Sequence, residues 1–189
     1  MGAMATTLWF LTRSSGIVAL ALMVAAVADG LIFSGREGGR RLRPAWWMDL
    51  HRGLGGYALI FTGLHLITAF GADIGVSLAS IFVPGAAPES TTAYTLGVVA
   101  CYSLAVTVLS SWPKRRLRRS LWHAVHVLSV PATVLAGVHA YQLGTDFSTP
   151  LAVVLTTVAA GLAAYPLGLR LSGIARQHRL APPPQETLR

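Results

Sequence analysis

The sequence predicts an all-α integral membrane protein: five transmembrane helices in one bundle, N-terminus outside and C-terminus in the cytoplasm. Three observations carry that prediction. Hydrophobic residues make up 53% of the 189, only 12% are charged, and mean hydropathy is +0.58; a soluble domain carries about 25% charged residues. Five apolar runs, 8–33, 47–70, 92–112, 120–142 and 149–171, reach the roughly 20 residues that cross a bilayer. The basic residues also alternate. All of the 15 Lys and Arg except Arg13 lie in or within a turn or two of 34–46, 113–119 and the segment after 171, whereas 71–91 and 143–148 carry none. Basic residues accumulate on the cytoplasmic side of short loops, which sets the orientation and places the chain in the plasma membrane as a multi-pass protein. The net charge of +8 is thereby assigned to contact with anionic membrane lipids rather than to nucleic acid.

The elements follow in order. Span one, "LWFLTRSSGIVALALMVAAVA", has Trp9 and Phe10 at its outer end. Its "VAAVADG" is similar to a signal-peptide cleavage site, but four arginines at 36–43 hold its far end in the cytoplasm, so it reads as a retained span. "MGAMAT" fits an acylation pattern on what would be the outer side, where the cytosolic enzyme does not act. Span two begins at "PAWWMDLHRG", with Trp46 and Trp47 as interfacial anchors. The outer loop holds a short interfacial helix around 75–82, ahead of Pro84. Span three has no histidine or charge and serves as scaffold; its Cys101, the single cysteine, is a packing residue and excludes an internal disulfide. Span four, "LWHAVHVLSVPATVLAGVHAY", is broken by Pro131, and span five contains Pro166. Residues 1–172 form the membrane domain, and 173–189 form a disordered cytoplasmic tail.

Four histidines within the spans need explaining, since titratable groups there are costly and usually functional. A single one reads equally well as a buried hydrogen-bonding residue; four at matched depths are harder to read that way. His51 and His126 lie near the inner ends of spans two and four. His65 and His139 lie fourteen and thirteen residues further out, or about 21 and 20 Å at 1.5 Å per residue. Two layers of paired imidazoles can therefore hold two haem b groups stacked across the membrane. At about 100° per residue, His65 returns to within roughly 40° of His51, but His139 falls about 140° from His126 in an ideal helix. Pro131 lies between them and can supply rotation by kinking the helix. His123 in place of His126 does no better, and is read as an interface residue near a propionate. Gly53, Gly55, Gly56, Gly63 and Gly137 lie beside the histidines, where they give a flat macrocycle room or serve ordinary span packing. Arg52 and Arg43 are candidate partners for inner propionates. Arg13 is the candidate on the outer side, with a snorkelling arginine as the alternative.

Two histidines per iron leave no open coordination position, so such a group carries electrons rather than binding substrate. With these residues the sequence resembles the ferric-reductase-like transmembrane family of ferric reductases, NADPH oxidases and the haem subunit of the bacterial periplasmic methionine sulfoxide reductase system. The resemblance covers about 8–172 and rests on "LTRSSG", "LHRGLGGYALIFTGLH" and "LWHAVHVLSVPATVLAGVH". It implies that His51 and His126 bind the inner haem, His65 and His139 the outer one, and that Arg13 meets a propionate. Six spans are common in the family, against the five read here. Ferric reductases and NADPH oxidases also continue into a flavin and nicotinamide domain, whereas no G-x-G-x-x-G stretch is present in this chain. The resemblance thus implies a stand-alone electron-transfer subunit. Its donor would be a cytoplasmic flavin reductase, with FMN or FAD in that partner or at the cytoplasmic face, or quinol, and its acceptor would lie on the outer face. Ferric or oxygen reduction at the outer haem, a haem-free structural subunit and a proton relay are the competing readings.

Overall fold

The computed structural model describes residues 2–34, 45–72, 75–112 and 118–144, together with Gly161, Ala164 and Gly168. Six helices occur in it: α1 (Ala3–Ser34), α2 (Ala45–Gly71), α3 (Leu78–Phe82), α4 (Thr91–Ser111), α5 (Arg119–Val127) and α6 (Ser129–Leu143). Four stretches are long and apolar enough to cross a membrane: Ala3–Phe33, Trp46–Gly71, Thr91–Ser111 and Arg119–Leu143. The chain is an all-α membrane protein. The first four expected spans coincide with these stretches, α1 beginning five residues earlier than expected. The expected fifth, 149–171, lies outside the described residues apart from the three named above, which are helical. The basic runs at 36–43 and 113–117 and the 173–189 tail also lie outside them.

A span must satisfy its polar groups internally. Hydroxyls do so by bonding one turn back: Thr12 to the Leu8 carbonyl, Thr62 to Ala58, Thr68 to Leu64, Ser103 to Val99 and Thr133 to Ser129. Large apolar side chains point outward, as lipid requires. On α2 the exposed stripe is Tyr57, Ile60, Leu64 and Ile67, and the opposite face carries His51, Ala58 and His65.

The fourth crossing is two helices. α5 stops at Val127, the Leu128 N–H bonds the Val125 carbonyl at 3.1 Å, and α6 restarts at Ser129. Pro131 occupies the first turn of α6, where a missing N–H costs nothing because that turn has no intrahelical acceptor. The short α3 begins with Ser77 capping the Ser80 N–H at 3.1 Å and ends just before Pro84.

Packing sorts the long helices into two pairs. α1 lies along α2, α4 lies along α6, and α1 also touches α6. The two histidine-bearing crossings meet hardly at all through their backbones. At mid-depth the gap between them is filled by Met23, Ala58, Leu104 and Ala132, one residue from each crossing. Ala58 lies seven residues from both His51 and His65, and Ala132 six from His126 and seven from His139.

Candidate functional site

Two layers of side chains flank that core. In one, His65 and His139 approach to 6.3 Å between ring centres, with planes at 90°. In the other, His51 and His126 stand 5.9 Å apart, with planes at 59°. Both expected pairs are thus brought together, including the thirteen-residue pair that an ideal helix would set apart. On either side of the turn at Leu128, His126 and His139 each meet a histidine of α2.

The Nδ1 atom of every one of these rings meets a group on a neighbouring helix. His65 Nδ1 lies 2.8 Å from the Thr12 carbonyl and His139 Nδ1 2.8 Å from the Ala93 carbonyl. His126 Nδ1 lies 3.3 Å from Ser111 Oγ, and His51 Nδ1 lies 3.2 Å from Asp29 Oδ2. Partners on Nδ1 fix ring orientation and leave Nε2 as the nitrogen available to a metal. A metal–imidazole bond is about 2.0 Å and a ring centre lies about 1.1 Å behind its nitrogen, so two imidazoles trans on one metal have centres about 6.2 Å apart. Both pairs stand close to that separation. Among the described residues no three His, Cys, Asp or Glu come together. A two-donor set suits a metal whose other four positions are already filled, as in a porphyrin.

Glycines on the neighbouring helices create these approaches. A helical carbonyl is screened by the side chain four residues on, and Gly16 and Gly97 stand four residues after Thr12 and Ala93. A Cβ at Gly97 would come within 2.6 Å of His139 Nδ1, and one at Gly16 within 2.9 Å of His65 Nδ1. At Gly30 it would come within 3.1 Å of His51 Cε1. By contrast, a Cβ at Gly53, Gly56, Gly63 or Gly137 would meet no described atom within 4 Å, and at Gly55 only ordinary contact with Val108. Bare helix on α1 and α4 receives the imidazole rings.

A cavity of about 410 Å³ adjoins the His65–His139 layer and is walled by Trp9, Arg13, Thr12, Gly97 and Leu104, with Ser80 and Ile81 of α3 at one end. It falls within the roughly 300–1,000 Å³ of cofactor sites. Arg13 is half-buried on its wall, its guanidinium 4.5 Å from the centre of the Trp9 ring. A basic group thus stands on the wall of this cavity. Tyr94 lies edge-on to His139 at 6.5 Å.

The other layer differs from expectation. Arg52 is exposed and its guanidinium is 3.6 Å from Asp49. His123 is exposed on α5. Asp29, buried to 8% exposure, lies against His51. Trp122 stacks on His126 at 4.8 Å and 20°, and its indole N–H donates to Ser111 Oγ at 3.3 Å. Arg43 lies outside the described residues.

The family described as ferric reductase like transmembrane component matches residues 15–137. The chain belongs to the ferric-reductase-like transmembrane family. Neither a curated protein nor a solved structure matches it. Membership makes it a membrane electron-transfer component, of a family that typically binds haem. The matched region holds His51, His65 and His126, starts two residues after Arg13 and ends two before His139.

Sequence reasoning missed Asp29, Ser111 and Trp122 as well as the three glycines. The signal was present: Gly16 and Gly30 on α1, and Gly97 and Ser111 on α4, repeat the fourteen-residue interval of His51 and His65.

Proposed function

We propose that this ferric-reductase-like chain is a di-haem b-type cytochrome that carries electrons across the membrane. His51 and His126 would hold one haem and His65 and His139 the other. The observation that carries the reading is the pairing of four imidazoles in two layers, with ring centres 5.9 and 6.3 Å apart and each Nδ1 against a neighbouring helix. Bound there, haem supplies one-electron chemistry at a potential tuned by its ligands and surroundings. The chain's own residues hold the rings, exclude water with the Met23–Leu104 layer, and place Arg13 where a propionate needs a counter-charge.

Five spans with the N-terminus outside complete the reading, on the alternation of basic residues. Electrons would enter at the cytoplasmic His51–His126 layer, from a flavin- and NAD(P)H-linked partner or from quinol, and leave at the outer layer for an acceptor on that face. Arg52 and His123, exposed beside the inner layer, would face headgroups or propionates at the membrane surface.

The test is a dithionite-reduced minus oxidised visible spectrum of the purified chain, with pyridine haemochrome quantitation. Two b haems per chain with low-spin bands are expected. One haem would require one layer to be reassigned, and none from a folded preparation would leave the structural or proton-relay subunit.

A further inference from the structure

We propose that Asp29 sets the two layers at different reduction potentials, making the His51–His126 layer the lower of the two and so giving the electron a direction. The inference rests on the bis-histidine reading above. Its ground is the difference in charge among the four Nδ1 partners. Thr12 and Ala93 offer backbone carbonyls and Ser111 a hydroxyl, all neutral. Asp29 alone offers a carboxylate, with Oδ2 at 3.2 Å from His51 Nδ1.

That carboxylate is 8% exposed, and Gly30 beside it lets the His51 ring close against α1. Oδ2 and Nδ1 stand at ion-pair distance without forming a hydrogen bond, so the carboxylate acts on the layer through its charge. A buried negative charge favours the more positive, oxidised metal, because a medium of low dielectric screens it weakly. The basic residue nearest in sequence to His51, Arg52, is turned to Asp49 on the exposed face. Among the described residues Arg13 lies on the cavity wall of the other layer, and a positive charge there favours the reduced metal. Both charges therefore push the potentials apart in the same sense. The exchange balances: the electron released on oxidation at the Asp29 layer is the one that reduces the Arg13 layer.

The test is a potentiometric titration of the haem-loaded full-length chain, comparing wild type with Asp29→Asn, Asp29→Glu and Ser111→Asp. Asp29→Asn is expected to shift one reduction equilibrium about tenfold, a rise of about 59 mV for one electron, and to leave the other unmoved. Asp29→Glu keeps the carboxylate and should return the midpoint towards wild type. Ser111→Asp puts a carboxylate against His126 and should lower the same midpoint, which decides the matter independently if the Asn variant does not retain haem in that layer. Two bound haems whose midpoints ignore Asp29→Asn and Ser111→Asp would overturn the role of Asp29 and leave the ligand assignment standing. A folded wild-type chain that takes up no haem would overturn the ligand assignment itself, and this inference with it.

Discussion

The two histidine layers are alike in their paired imidazoles and unlike in what holds them. At the His65–His139 layer, both rings are anchored to main-chain carbonyls that a glycine one turn later leaves open. At the His51–His126 layer the anchors are side chains, Asp29 and Ser111, with Trp122 stacked on one ring. Backbone acceptors fix geometry and cannot vary in charge. Side-chain acceptors hold less rigidly, since each carries its own rotamer freedom, but their charge can be chosen. One layer is built for placement and the other for tuning.

The widest separation between them should come from the ligands. His65→Ala or His139→Ala should remove the haem of that layer and stop transmembrane transfer, while the absorption of the His51–His126 layer largely remains. Haem content unchanged by either substitution would break the assignment. Next come the glycines. Gly97→Ala drives a Cβ to within 2.6 Å of His139 Nδ1, whereas Gly30→Ala approaches His51 only to 3.1 Å. Loss of a partner that orients a metal ligand typically costs about 10–100-fold in affinity. Gly97→Ala should therefore weaken haem retention by at least about tenfold and Gly30→Ala by less, read as haem per chain after dilution. Equal effects would mean that the two layers are held equally rigidly. The smallest effect belongs to Arg13→Ala. It removes a positive charge from the wall of one layer and should lower the midpoint of that haem alone, checked by potentiometric titration. A shift of both midpoints, or of neither, would end its pairing with a propionate.

Much of this could be read from the chain. The intervals from His51 to His65 and from His126 to His139 announce two depths, because rise per residue is a local property of any helix. The departure of His139 from its ideal azimuth was visible too, and so was Pro131 as the place to look for its remedy. The structure places a tight turn at Leu128, where α5 meets α6. The glycines that receive the imidazoles were not legible, for a physical reason. Glycines adjacent in sequence to a histidine lie on the same helix, while the space an imidazole needs is on the helix opposite.

The sequence by itself determined the material of the bundle: apolar runs of spanning length, paired histidines at matched depths, and the family to which they belong. Each follows from properties that repeat along one helix, and these do not depend on what packs against it. The tertiary structure decided which groups meet. His65 finds a carbonyl 53 residues away and His139 one 46 residues away, and Asp29 reaches His51 across two helices. Such contacts are set by the relative rotation and closeness of packed helices. Side chains of both partners determine that jointly, so neither stretch of sequence expresses it alone.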